Sequence, residues 1–174
     1  MAATIIDAPS STKNQARARD PEILSTKNGD DWLFGMEAHI GVDAENCVTH
    51  SLDTSTARLR DSRALDALLH GDKTSVWADK GYVNAEREAA FNESGRFLSV
   101  MRKVPKGGKL PHIEETTKRI IFKVRAKAEH PLRVIKRPLN CVKTLYRGLA
   151  KNRAELFTLF ALGNLLLVRR KLMA

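Results

Sequence analysis

The stretch from Trp32 to Val42, WLFGMEAHIGV, alternates along its length, with Phe34, Met36, Ala38 and Ile40 on one side. A period of two describes a strand with one face turned to a core, so the chain needs a sheet and something to cover it. Asp43-Ala44-Glu45-Asn46 supplies a turn, and Cys47 to Leu52 has the composition of the return strand of a hairpin. With 174 residues, 43% of them hydrophobic, the chain is of single-domain size and can bury a real core.

Around that hairpin the other elements are shorter. Residues 8–30 are polar and hold Pro9 and Pro21, which predicts a loop. Ser62 to Leu69 has helical spacing through Leu65, Leu68 and Leu69, and Gly71 ends it. Thr74 to Ala78 is a short β-prone run that delivers Asp79 at its C-terminal end. Asn84 can cap a helix over Ala85 to Glu93, with Gly95 as its stop, and Arg96 to Val100 is another short strand. Residues 103–112 hold two prolines and two glycines and predict a loop. A helix is expected from Ile113 to about Lys136, kinked or interrupted at Pro131, which removes a backbone donor. A last helix spans roughly Ala154 to Leu172, where Leu156, Leu159, Phe160, Gly163, Leu166 and Leu167 form a core stripe. The sum is an α/β chain, a mixed sheet flanked by helices.

Charge is unevenly distributed. Residues 1–95 carry 10 Lys and Arg against 16 Asp and Glu, whereas residues 96–174 carry 20 against 4. Such a lopsided field suits a polyanion, nucleic acid above all, although a solvated basic face has the same composition. Two Tyr and two Trp are few for a platform that stacks single strands, so contact with a duplex backbone is the better expectation. The apolar stretch Leu156 to Val168 is interrupted by Thr158, Gly163 and Asn164 and falls short of the roughly 18 residues of a membrane span. With no secretory pattern at Met1 to Asp7 and only Cys47 and Cys141, a cytoplasmic, nucleoid-associated protein is expected, with no membrane partner. His39, His50, His70, His112 and His130 lack zinc-site spacing, and Lys106-Gly107-Gly108-Lys109 is a basic loop rather than a nucleotide-binding motif.

Two carboxylates stand out. Asp79 ends a strand and enters Lys80-Gly81-Tyr82, a place for either a turn-initiating Asp or an active-site acid at the rim of a sheet. Glu129 is a single acid among many bases, with Arg125 and Arg133 at i−4 and i+4. Those three residues suit a surface ion-pair ladder or a metal-binding carboxylate beside cations that hold phosphates.

Taken together, the segments resemble the bacterial insertion-sequence transposases of the insertion-sequence-4 and -5 group. The likeness covers nearly the whole chain. It runs through Thr4-Ile5-Ile6, Ala8-Pro9-Ser10-Ser11-Thr12-Lys13-Asn14, Phe34-Gly35-Met36 and His39-Ile40-Gly41-Val42-Asp43. It continues in Ala67-Leu68-Leu69-His70-Gly71, Ala78-Asp79-Lys80-Gly81-Tyr82 and Glu129-His130-Pro131. It closes in Val134-Ile135-Lys136-Arg137, Tyr146-Arg147-Gly148-Leu149-Ala150-Lys151-Asn152 and Leu159-Phe160-Ala161-Leu162. The group's late signature of Tyr, Arg, Glu and Lys falls on Phe122, Arg125, Glu129 and Lys136, with Phe in place of Tyr.

The resemblance implies a ribonuclease-H-like catalytic domain over residues 1–174 with a triad of two aspartates and a glutamate. Asp79 matches the second aspartate and Glu129 the glutamate, while Ala2 fills the place of the first. The chain therefore resembles a copy truncated at its N-terminus, with the first strand incomplete and the upstream DNA-binding region missing. Asp7 lies five residues from Ala2 and would face the other side of a strand. Glu37 and Lys80 also depart from the group's pattern, and Lys80 sets a cation beside a metal ligand. In the intact family two Mg²⁺ ions about 3.5–4 Å apart would be held by the triad, here by Asp79 and Glu129 alone. Arg125, Arg133, Lys136 and Arg137 would contact phosphates of double-stranded DNA. Strand cleavage and transfer in DNA transposition is the implied activity, lost here with the bridging carboxylate. The alternative is a non-catalytic DNA-binding remnant that regulates or inhibits the full-length enzyme, as a homodimer or in a mixed pair.

Overall fold

The computed structural model describes residues 1–58, 61–71, 73–78, 85–100 and 112–173. In chain order the elements are β1 (Ala2–Asp7), β2 (Leu24–Asn28), β3 (Asp31–Val42), β4 (Thr49–Thr56), α1 (Asp61–Leu68) and β5 (Ser75–Ala78). After them come α2 (Ala85–Glu93), β6 (Phe97–Val100), α3 (His112–Lys136) and α4 (Leu149–Leu172). The chain is thus mixed α/β with antiparallel and parallel sheets flanked by helices, in keeping with a ribonuclease-H-like domain. Among the described residues the strands form two sheets, one of four antiparallel strands and one of two parallel strands.

Strand β3 organises the larger sheet. It pairs antiparallel with β1 from Ala2↔Ile40 to Asp7↔Gly35, with β2 from Leu24↔Gly35 to Asn28↔Asp31, and with β4 from Met36↔Thr56 to Val42↔Thr49. The alternation in its sequence is realised: Met36, Ala38 and Ile40 are fully buried. They meet Ala128, Leu132 and Ile135 of α3 and Leu156 and Phe160 of α4, which cover this face. The smaller sheet is a βαβ unit in which β5 and β6 run parallel, joined through α2. Its core of Val76, Ala78, Phe91 and Leu98 also takes in Leu65 and Leu68 of α1 and the side chain of Met1. The Met1 amine donates to the Trp77 carbonyl at 2.7 Å, so the start of β1 is anchored to β5.

Several boundaries differ from the sequence expectation, each for a local reason. The segment expected to be a loop over 8–30 contains β2, a polar strand turned back onto β3 through Gly29, whose φ is +64°. Gly29-Asp30 is the two-residue loop between paired Asn28 and Asp31, with Gly first as tight hairpins favour. The return strand begins at Thr49 rather than Cys47 and extends to Thr56, because Cys47 has a φ of +59° and closes a turn onto the Asp43 carbonyl at 3.0 Å. Helix α3 runs unbroken through Pro131. The lost hydrogen bond is offset by burial, since Pro131 lies with Ala128, Leu132 and Ile135 on the side of α3 removed from solvent.

Helix α4 starts at Leu149, five residues before its expected start. Its first turn is capped from a distance: the Gly148 N–H donates to Asp20 Oδ2 at 2.6 Å and the Leu149 N–H to Glu22 Oε2 at 2.7 Å. Carboxylates at a helix N-terminus satisfy orphan donors and the dipole together. Buried Asn152 completes the cap, accepting from the Tyr146 N–H and donating to the carbonyls of Tyr146 and Gly148. Further along, the Asn164 side-chain amide exchanges two 2.8 Å hydrogen bonds with the backbone of Thr49, joining α4 to β4. The core stripe holds at Leu156, Phe160 and Gly163, whereas Leu166 is exposed.

Two glycines give opposite expectations. A Cβ on Gly35 would strike the Ile6 carbonyl oxygen within the β1–β3 ladder, whereas one on Gly163 would sit 3.6 Å from Val134 and 3.8 Å from Ile135, ordinary contact distances. Gly35→Ala should therefore lower the unfolding free energy by about 1–3 kcal/mol. Gly163→Ala should leave it unchanged or raise it by up to about 1 kcal/mol, because Ala favours a helix interior. Urea unfolding of the two variants checks both signs.

Candidate active site and nucleic-acid interface

The start of β1, the end of β5 and the middle of α3, the elements beside which the resemblance sets its triad, approach one another. Ala2 opens β1, paired with Ile40 and 7% exposed. It shares the buried face of that strand with Ile6, while Asp7 on the alternate face is exposed. Asp7 therefore points away from the position of Ala2, as a period of two requires. Buried Ala78 closes β5, and Asp79, with Lys80, Gly81 and Tyr82, lies outside the described residues. Glu129 is exposed on α3, directly after buried Ala128.

A cavity of about 410 Å³ opens at this junction. Met1, Trp77 and Ala128 line it, and these are the sequence neighbours, by one or two positions, of Ala2, Asp79 and Glu129. Its polar lining comes from His50 on β4, His70 and Lys73 between α1 and β5, and Arg125 on α3. His50 Nδ1 lies 2.9 Å from His70 Nε2 and 3.0 Å from Ser51 Oγ, and the rings meet edge to face. The Lys73 ammonium donates to the His50 ring at 2.9 Å. Asp43 also faces the cavity, but its carboxylate is engaged by the Asn46 N–H at 2.7 Å and by the Asn46 side chain at 3.0 Å.

Electrostatics follow from this crowding of bases. Burial, then Lys73, then His70 push the His50 imidazole down to about 4, so the ring is neutral at ordinary pH. Burial, then Arg125 and Lys73 lower the Met1 amine to about 6. Burial also lowers Lys73, and hydrogen bonding from Asn46 lowers Asp43.

The expected DNA contacts lie on α3 and just beyond its end. Unbroken α3 puts Arg125, Glu129 and Arg133 at i, i+4 and i+8 of one helix, so the three share a face. Arg125 turns into the cavity, and Arg133 is exposed in the last turn. Lys136 donates to the Ile5 carbonyl of β1 at 3.1 Å and is half-buried, while Arg137 is exposed just beyond the helix. The end of α4 adds exposed Arg169, Arg170 and Lys171. The cluster of His50, His70 and Lys73 had no signal in spacing; only the fold of β4 beside α1 and β5 brings it together.

The chain belongs to the transposase DDE domain family, whose model matches residues 2–165. Members of that family carry out DNA transposition, act on DNA and use divalent metal ions. No solved structure matches the chain. Among the described residues no group of three or more His, Cys, Asp or Glu is arranged to hold a metal ion. The described residues around the cavity are dominated instead by nitrogen bases and cations, a donor set that does not suit a hard divalent ion. Among the described residues no helix is long and apolar enough to cross a membrane.

The lowered groups fix a pH dependence. His50 titrates lower in the folded chain than at its ordinary 6.5, so its contribution to stability is complete above that value and is lost as pH falls toward 4. The Met1 amine acts likewise between 8 and 6. Urea midpoints should fall from pH 8 to pH 4, and His50→Gln should flatten the lower part of that curve. An unaltered slope in the variant would contradict the assignment.

Proposed function

We propose that this chain is a DNA-binding transposase domain of the insertion-sequence-4 and -5 group that holds duplex DNA without cutting it. The observation that carries this reading is Ala2. It stands buried at the head of β1 where the resemblance calls for the metal-bridging aspartate, and a methyl group cannot ligate a metal. Asp7 offers no substitute, being exposed on the other face of the strand. In this reading residues 1–174 act as one catalytic-domain unit in which Asp79 and Glu129 keep the remaining two triad roles, with Mg²⁺ as the family's ion. Arg125, Arg133 and Arg137 meet phosphates, and Lys136 braces β1 against α3 beside them. The basic C-terminal half supports duplex binding, since 20 Lys and Arg against 4 acids give residues 96–174 a strong attraction for a polyanion.

Regulation is the second reading, favoured by the same imbalance. A chain that binds element ends at the nucleoid but does not cleave them competes with active copies, as a homodimer or by pairing with a full-length transposase.

A plasmid-nicking assay with Mg²⁺ or Mn²⁺, run beside duplex-binding titrations across salt, tests the proposal. Nicking should not exceed the background of Asp79→Ala, while the affinity for duplex should fall steeply and linearly on a log–log plot against salt. Metal-dependent nicking abolished by Asp79→Ala or Glu129→Gln would overturn the inactive reading. A salt-independent affinity would overturn the DNA-binding one.

A further inference from the structure

Helix α4 buries one face through Asn152, Leu156, Phe160 and Gly163, and its opposite face is apolar as well. Ala154, Phe157, Ala161, Leu165, Val168 and Leu172 follow one another at steps of three or four residues, which keeps them on one side of the helix. Phe157, Leu165 and Leu172 are 48%, 56% and 69% exposed, and Ala154 and Ala161 are exposed between them. A surface helix ordinarily turns polar and charged residues outward, and an open apolar stripe of this length marks a contact surface. We propose that the stripe pairs two copies of the chain, α4 against α4 in antiparallel sense about a two-fold axis. The inference rests on the regulatory reading, which needs copies to pair, and names the surface that pairs them.

A two-fold contact sets a surface against itself, so the stripe must complement its own reverse. With the axis at the level of Gly163, residues equally far before and after it come opposite each other. Ala161 then meets the partner's Leu165, Ala154 meets the partner's Leu172, and Phe157 lies level with the partner's Val168 and Arg169. Each alanine is set against a leucine, the alternation of small and large that lets two helices interlock. A parallel pair loses this match. It would set Leu165 on Leu165 and gather Arg169, Arg170 and Lys171 of both copies at one end.

Charge agrees with the antiparallel sense. Glu155 and Arg169 flank the stripe on the same side, and an antiparallel pair brings like flanks together. Glu155 therefore faces the partner's Arg169, twice by symmetry. On the other flank Arg153 approaches the partner's Lys171, and Asp53, 3.6 Å from the Arg153 guanidinium, offsets that meeting of bases. The same guanidinium lies 5.7 Å from the centroid of the Phe157 ring and holds it at the edge of the stripe. From Ala154 to Leu172 the strip is about 27 Å long and about 10 Å wide. That is small beside the roughly 800 Å² that each partner of a standard interface buries, so the pairing is weak and reversible.

Sedimentation equilibrium of the full chain without DNA, from about 1 to about 100 µM, tests the pairing. The average mass should rise from the monomer's 19.4 kDa toward twice that value. Leu165→Glu should weaken association about tenfold or more, whereas Trp32→Glu, at an exposed aromatic residue far from α4 in sequence, should leave it unchanged. Glu155→Arg and Arg169→Glu should each weaken it about threefold, and the double variant should recover it. Circular dichroism melts establish that each variant folds. A monomer at every concentration, association indifferent to Leu165→Glu, or a double variant no better than the single ones would overturn the proposal. Duplex affinity of the unaltered chain is measured in parallel. Pairing without duplex binding leaves the interface standing and removes the regulatory reading, whereas duplex binding by a chain that stays monomeric removes the interface alone.

Discussion

Strand β3 is the constraint to which the other elements answer. Its twelve residues pair with β1, β2 and β4, and its buried face of Met36, Ala38 and Ile40 sets where α3 and α4 must lie. A shift of one residue along this strand would turn that face outward and present Glu37 and His39 to the helices. The register is therefore held by the hydrophobic pattern and by close contacts such as Gly35 against Ile6. The same register fixes Ala2 opposite Ile40 and leaves Met1 reaching β5, so the location of the cavity follows from how β3 is paired.

From that geometry comes a site whose described lining is basic. Members of the transposase DDE domain family work through carboxylates and divalent metal, yet here the head of β1 carries a methyl group and its surroundings carry Lys73, Arg125 and two histidines. We interpret this as a surface suited to hold phosphates rather than to position metal ions for cleaving them. The long helices extend the same field, with Arg133 and Arg137 near the end of α3 and three bases closing α4.

What could be read in the sequence depended on whether the determinants were local. The alternation of β3 and the bounds of α2 follow from nearby residues, and so does the opposition of Ala2 and Asp7 across β1. Strand β2 is not legible locally, because Leu24-Ser25-Thr26-Lys27-Asn28 is mostly polar and is a strand only through its partner. The early start of α4 depends on Asp20 and Glu22, more than a hundred residues upstream. A kink or an interruption is the local expectation at Pro131, and α3 continues through it with the ring buried. The cavity was hidden for the same reason: His50, His70 and Lys73 have no motif, and their meeting is a product of topology.

The central claim is that Ala2 prevents this chain from assembling the family's metal centre. Titration of Mn²⁺ into the folded protein, followed by electron paramagnetic resonance, tests it most directly, with Asp79→Ala and Ala2→Asp in parallel. The account predicts that the unaltered chain binds Mn²⁺ no more tightly than Asp79→Ala does, and that Ala2→Asp gains a site. Stoichiometric uptake by the unaltered chain, lost in Asp79→Ala, would contradict it.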